Sequence, residues 1–302
     1  MSHYDVYSYG VVSSSTLYSL KDQFPKPEGY AEIDSVRRMI GGEATNSSIV
    51  LARLGASVRL DGNWLGDDDA GRHTLSLLDE RGIDASALTT KPGYRGVEEA
   101  VFAAGDTRTI FGTYVRLQEE RAWNTPESDD IVRARVVCLD PFFGDASRTV
   151  ASLAHAAGKP VITVDCKYDD PLLAHAAAVV IAESFLKEHY ENRSLEDVFE
   201  RYLRSGTGLV IFTFGGRDIW YAAAGEPRRT ASPYSIEPVD TTGGGDSFRA
   251  GIVFGFLEGW SHERTIDFAA ALAAIVCTRS PGVLESPTLD EVFELTGTRR
   301  PQ

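Results

Sequence analysis

From residue 136 to residue 214 short apolar runs alternate with helical patterns, and this alternation restricts the chain to few architectures. Val136–Leu139, Val161–Val164, Ala178–Ile181 and Leu209–Phe214 are apolar but for Thr163 and Thr213 and of strand length, while Ala146–Ala157 and Leu195–Leu203 carry apolar residues at helical spacing. A strand with no polar face is covered on both sides, and helices between such strands make parallel crossovers. The expected fold class is therefore α/β, a mostly parallel central sheet flanked by helices on both faces. Ile219–Ala224 reads as a further, antiparallel strand, and helices over Gly245–Leu257, Glu263–Cys277 and Leu289–Leu295 finish the chain.

The first third is less regular. Tyr4–Val12 reads as a strand that ends in the polar run Ser13-Ser14-Ser15-Thr16, and Tyr30–Val36 as a short exposed strand. Gly41-Gly42 precedes a helix with an apolar face of Ile49, Val50, Leu51 and Leu54, stopped at Gly55; Ser57–Leu60 is a strand. Asp67-Asp68-Asp69 reads as a solvated helix start rather than a metal site, because acidic residues suit a helix N-terminus. Val97–Ala103 and Thr109–Tyr114 read as a β-hairpin turning at Gly105-Asp106. With the strand near Tyr30 it forms a small sheet inserted into the α/β pattern. No repeat or low-complexity linker interrupts the 302 residues, so one domain spanning 1–302 is expected.

The net charge of −14 argues against a nucleic-acid partner, whose phosphates need a basic surface. It leaves room for a phosphate ligand, because a local cradle of amides with Mg²⁺ overrides the global field. No apolar run reaches the roughly 18–20 residues that span a bilayer, so no membrane partner is expected. The N-terminus lacks a basic region followed by an apolar one, and Cys138, Cys166 and Cys277 have neither metal nor disulfide spacing. These features point to the cytoplasm.

Asp240-Thr-Thr-Gly-Gly-Gly-Asp246 carries the clearest chemistry. Three consecutive glycines remove every Cβ, so backbone N–H groups of Gly243, Gly244 and Gly245 can close on an anion. The apolar helical pattern that follows adds a helix N-terminus and its dipole. Asp246 at that helix start is either an N-cap or a base held beside an anion site.

Asp240–Gly251, DTTGGGDSFRAG, resembles the C-terminal signature of the ribokinase-like (PfkB) sugar kinases, DTxGAGDxFxxG. Gly41-Gly42-Glu43-Ala44-Thr45-Asn46, followed by Ala52-Arg53-Leu54-Gly55, is similar to their N-terminal GGxxxNxAxxxARLG. Gly105-Asp106-Thr107-Arg108, Val164-Asp165 and Thr213-Phe214-Gly215-Gly216 follow the family order. The resemblance implies a ribokinase-like fold with a β-sheet lid formed by insertions at about 13–38 and 93–115, closing over the sugar. It implies an ATP- and Mg²⁺-dependent kinase, with room for a monovalent cation near the anion hole, and a homodimer paired through the lid. Asp246 would be the general base, with Gly243, Gly244 and Gly245 stabilising the transferring phosphoryl group. Gly41, Gly42 and Asn46 would contact a sugar-like small molecule; Thr213, Gly215 and Gly216 would lie along the nucleotide.

The chain departs from the family in three places. The usual substrate-gripping Asp falls on Ser15 or Thr16, and a neutral hydroxyl grips more weakly than a carboxylate. The substrate is thus held from elsewhere or differs from a plain sugar. The usual Asn-x-x-Glu is replaced by Ala182-Glu183-Ser184-Phe185-Leu186, where Glu183 is the candidate metal-ordering acid and Glu188 its competitor. Gly244 stands for the usual alanine, a change expected to matter little to the chemistry. Arg95, Arg108, Glu98 and Glu99 lie in or beside the lid and could reach a charged group of the substrate. Two other readings remain: a nucleoside kinase, with Phe102, Phe111 and Tyr114 as stacking partners, and a non-catalytic sugar- or nucleotide-binding regulator.

Overall fold

A computed structural model describes residues 3–104 and 107–297, with strands and helices numbered below in chain order. In the main sheet β1 (Tyr4–Gly10) lies between β4 (Val58–Gly62) and β9 (Ala134–Leu139). The sheet continues from β9 through β10 (Val161–Val164), β11 (Ala178–Ala182), β12 (Leu209–Phe214), β13 (Arg217–Ala223) and β14 (Arg229–Ala231). β4 through β12 pair in parallel, with Ser8 opposite Leu60 on one side and Cys138 on the other, while β13 and β14 are antiparallel.

Side chains alternate across this sheet into two cores. Val6, Cys138 and Ile162 pack under α1 (Glu43–Arg53), α2 (Asp69–Glu80), α8 (Gly244–Leu257), α9 (His262–Cys277) and α10 (Leu289–Thr296). Tyr7, Tyr9, Val137 and Val161 pack on the other face under α3 (Tyr114–Glu120), α4 (Ser128–Arg133), α5 (Asp145–Ala156), α6 (Glu183–Tyr190) and α7 (Leu195–Leu203). The two-sided burial that continuous apolar strands demand is thus met. The acidic run at 67–69 begins α2, where the Asp68 side chain caps the helix by accepting from the Gly71 amide at 2.9 Å.

The second sheet holds β2 (Ser13–Leu20), β3 (Ile33–Gly41), β7 (Val97–Ala104) and β8 (Thr107–Gly112), in the order β3-β2-β7-β8. Here the structure corrects the sequence expectation. Ser13–Thr16, read as the polar run that ends the first strand, is the start of β2, which pairs antiparallel with β3 and parallel with β7. The serines alternate as any strand does, Ser13 and Ser15 facing inward, so the polarity of the run reflects a polar cavity and not a loop. β3 likewise starts at Ile33 and runs to Gly41, directly into α1. The turn expected at Gly105-Asp106 lies outside the described residues. A short parallel pair, β5 (Leu65–Gly66) with β6 (Thr90–Lys91), completes the strands.

β1 is where the chain order of the main sheet reverses, towards β4 on one side and β9 on the other. A crevice opens at the carboxyl ends of parallel strands at such a point. The four-stranded sheet stands over it.

Candidate active site

A cavity of about 140 Å³ lies between the starts of α1 and α8, the segment at Gly282-Val283 and the underside of the small sheet. Asp246, in the first turn of α8, is on its floor. The Asn46 side chain, one turn into α1, donates from Nδ2 to Asp246 Oδ2 at 2.7 Å, and Ser47 Oγ donates to the Asp246 carbonyl at 3.0 Å. Two stretches 200 residues apart in sequence are thereby fastened together. No side chain caps α8; the Gly244 amide donates to the Thr241 carbonyl at 3.2 Å, and the amides that follow it in the first turn are left for an anion. Gly243 is in the left-handed region at φ 74°, and a Cβ there would fall 2.1 Å from Val283 Cγ2. A Cβ on Gly244 would meet Cys277 Sγ at 2.8 Å, whereas Gly245 faces open space. The turn holds its shape only with glycine at 243.

Behind Asp246 lies a fully buried ion pair. Arg249, one helical turn further along α8, donates from Nη1 to Asp140 Oδ1 at 2.5 Å and from Nε to Ser47 Oγ at 3.0 Å. The other oxygen of Asp140 accepts the amides of Val11 (2.8 Å) and Ala44 (3.0 Å), so the pair ties β1, α1, β9 and α8 at one point. Burial pushes the Asp246 carboxyl up to about 6; Arg249 and the Asn46 hydrogen bond oppose this rise, and the charge of Asp140 adds to it. Glu43, also in the cavity wall, is pushed up to about 8 by burial and by the negative charges of Asp140 and Asp246. Both acids are thus raised above the usual carboxyl range, Glu43 further than Asp246, whose neighbours Arg249 and Asn46 favour its charged form.

The opposite wall belongs to the small sheet. β2 and β7 set Ser15 beside Glu99, and Ser13 Oγ donates to Glu99 Oε2 at 2.9 Å. Ser15 Oγ donates to the same oxygen and the Tyr114 hydroxyl to Oε1. Burial and the neighbouring Glu99 push the Tyr114 hydroxyl pKa up, so it keeps its proton. Gly41 lies against this group, since a Cβ there would fall 2.5 Å from Glu99 Oε2. Gly42, at φ 96°, would overlap the Val11 carbonyl if it carried one. Of the two candidates in the serine run, Ser15 lines the cavity and Thr16 alternates to the other face. Arg108 on β8 also lines the cavity, and its charge helps hold the Asp246 carboxyl down. Of the three aromatic residues considered for stacking, Tyr114 lines the cavity; Phe102 and Phe111 pack instead with Tyr18 and Phe24.

Thr213, Gly215 and Gly216 lie outside this cavity, at the end of β12 and in its turn to β13, where Gly215 adopts φ 63°. Thr213 sits beside Ala182 at the same carboxyl edge of the sheet. Glu183 begins α6 and accepts from Lys187 at 2.6 Å and Arg217 at 2.7 Å; those hydrogen bonds hold its carboxyl below the usual range. Glu188 is exposed. Among the described residues no group of three or more His, Cys, Asp or Glu side chains is arranged to hold a metal ion. Sequence reading missed Asp140 and Arg249, although an arginine among Phe248, Ala250, Ile252 and Val253 was a visible anomaly.

Comparison with known proteins gives the family and the fold. The family model described as pfkB family carbohydrate kinase matches residues 5–289. Fructoselysine 6-kinase of Escherichia coli K12 is 29% identical over 239 residues, which cover 76% of this chain and 85% of that protein. The ATP-dependent ribose-1-phosphate kinase of Halopiger xanaduensis is 27% identical over 295 residues, 92% of this chain and 93% of the relative. Among solved structures, a ribokinase-like protein from Agrobacterium tumefaciens superposes with a TM-score of 0.87 at 25% identity, covering 98% of both chains. Arabidopsis thaliana ribokinase, solved with ribose and ATP, shares the fold with a TM-score of 0.81 at 20% identity, covering 99% of this chain and 100% of its own.

Proposed function

Since the chain belongs to the pfkB family of carbohydrate kinases, we propose that it transfers the γ-phosphoryl group of ATP to a hydroxyl of a small carbohydrate or carbohydrate derivative. The observation that carries this reading is the Asp246 carboxylate, held by Asn46 on the floor of a cavity and beside the uncapped start of α8. As the acceptor oxygen bonds to the γ-phosphorus, the bond from phosphorus to the bridging oxygen of ADP breaks, and the acceptor proton passes to Asp246. Asn46 occupies Oδ2, so Oδ1 is the oxygen assigned to that proton. Amides of the Gly243–Gly245 turn would stabilise the developing charge, that of Gly244 by exchanging its bond to the Thr241 carbonyl, in a reaction where positioning and charge stabilisation are most of the catalysis.

ATP is assigned to the carboxyl edge past β11 and β12, along Thr213, Gly215 and Gly216. Mg²⁺, bound chiefly through the phosphates, would neutralise their charge, with Glu183 as the chain's candidate to hold its water shell. A monovalent cation near the anion hole is a further expectation of the family. We assign the whole chain to one kinase domain and place it in the cytoplasm, a reading its free cysteines support. The outer face of the lid exposes Phe24, Val36 and Phe111, and we propose that a second copy of the chain covers it.

The nucleoside-kinase reading keeps Tyr114 as a stacking partner but loses the two phenylalanines that motivated it. ADP release tests the assignment, with Mg-ATP and D-ribose, D-fructose, fructoselysine, ribose 1-phosphate and adenosine as acceptors. Turnover with a sugar is expected. ATP binding with turnover of none would favour a regulator, and turnover of adenosine alone a nucleoside kinase.

A further inference from the structure

Glu99 is the charged group on the cavity wall facing Asp246 that no role above absorbs. Its carboxylate has about four acceptor positions. Ser13 and Ser15 fill two on Oε2 and Tyr114 one on Oε1, which leaves accepting capacity on Oε1. The converse matters as much. Ser15 and Tyr114 commit their single protons to Glu99, so both hydroxyls present only lone pairs to the cavity they line. The Gly41 backbone comes close enough to the Glu99 and Ser15 oxygens that no side chain fits between, so the wall is built rather than incidental.

We propose that Glu99, oriented by Ser13, Ser15 and Tyr114, is the residue that grips the acceptor, through a patch of this wall that accepts hydrogen bonds and offers none. Such a patch takes donors, the hydroxyls of a polyol or an ammonium group on a sugar derivative. It rejects a phosphate or carboxylate, which would bring lone pairs and negative charge against Glu99. Arg108 lines the same cavity from β8, so the preference belongs to the patch around Glu99 and not to the cavity as a whole. The carboxylate reaches the site from β7, beside Ser15, instead of from the strand that leads out of β1. β2 and β7 pair within the small sheet, so Glu99 and the serines that orient it form one unit on the lid.

The inference rests on reading the cavity as the acceptor site of a kinase, and its test separates the two. Fructoselysine, D-ribose and ribose 1-phosphate are titrated without nucleotide by calorimetry into the wild type, Glu99→Gln, and the double variant Ser15→Asp/Glu99→Gln; steady-state constants are measured in parallel. The wild type is expected to bind fructoselysine or D-ribose at least about 10-fold more tightly than ribose 1-phosphate. Glu99→Gln should weaken that affinity about 10- to 150-fold, the range for a hydrogen bond to a charged group. KM for the acceptor rises with it, while KM for ATP and kcat stay within about 5-fold. The double variant, which returns a carboxylate to the neighbouring position, recovers part of the loss. Unchanged affinity in Glu99→Gln, or tighter binding of ribose 1-phosphate by the wild type, overturns the role of Glu99 alone. Binding that depends on Glu99 but is followed by no phosphoryl transfer overturns the kinase reading and leaves Glu99 in place.

Discussion

Of the carboxyl groups that line the cavity, Asp246 on the floor and Glu43 on the wall are set apart by their surroundings. Asp246 is pushed up to about 6 and Glu43 to about 8, both chiefly by burial. As pH falls through about 6, Asp246 gains a proton and the base is lost. As pH rises through about 8, Glu43 loses its proton and sets a second negative charge beside the base and the incoming phosphates. The pair should therefore give kcat/KM a bell-shaped pH profile. Glu43→Gln keeps the shape of the neutral acid, so it should retain the acid limb and most of the activity at pH 7 but lose the alkaline limb. An alkaline limb that persists unchanged in Glu43→Gln would contradict this division. Asp246, Asn46 and the glycines were legible in sequence because they are contiguous with motifs. The Asp140–Arg249 pair was not, because its partners lie 109 positions apart and only folding brings them within 2.5 Å.

At the scale of elements, the start of α8 is shaped by what packs behind it. Gly251 lets α8 approach α9, since a Cβ there would fall 2.5 Å from the Ala269 Cα. Gly244 faces Cys277 on that same neighbouring helix, with room for a sulfur but not for a sulfur and a methyl. The alanine usual at this position in the family is therefore not neutral here. Gly244→Ala should cost about 1–3 kcal/mol by overpacking, measured by urea unfolding, and Cys277→Ala in the same chain should recover most of it. Strictly additive effects of the two substitutions would show that they do not meet. The helices of the α/β layers were legible from apolar spacing, as α5, α7, α8, α9 and α10 attest. The short α3 and α4 were missed because they bury only Leu117 and Ile131, too few positions to display a period. β2 was missed for a different reason: its inward face is serine, so the alternation that marks a strand carries no change in polarity over Ser13–Thr16.

Over the whole molecule, one sheet fixes the floor of the cavity and a second, smaller sheet brings its opposite wall. The mostly parallel sheet was legible because strands without a polar face have no other environment. How the small sheet faces the site depends on β2 pairing with β7, a contact between distant segments that local pattern does not encode. Its outer face carries Phe111, 54% exposed, and Phe24, 39% exposed, stacked with each other. If a second copy covers that face, the wild type sediments as a dimer and Phe111→Asp as a monomer; a wild type that sediments as a monomer at tens of micromolar contradicts the assignment. The central claim joins both sheets in one reaction, with Asp246 taking the proton of the acceptor bound under the lid. It is tested most directly by Asp246→Asn, assayed for phosphoryl transfer and for acceptor binding on the same preparation. The account predicts kcat lower by about 10²–10⁴-fold with acceptor affinity within about 3-fold of the wild type. Near-normal turnover in that variant would contradict it.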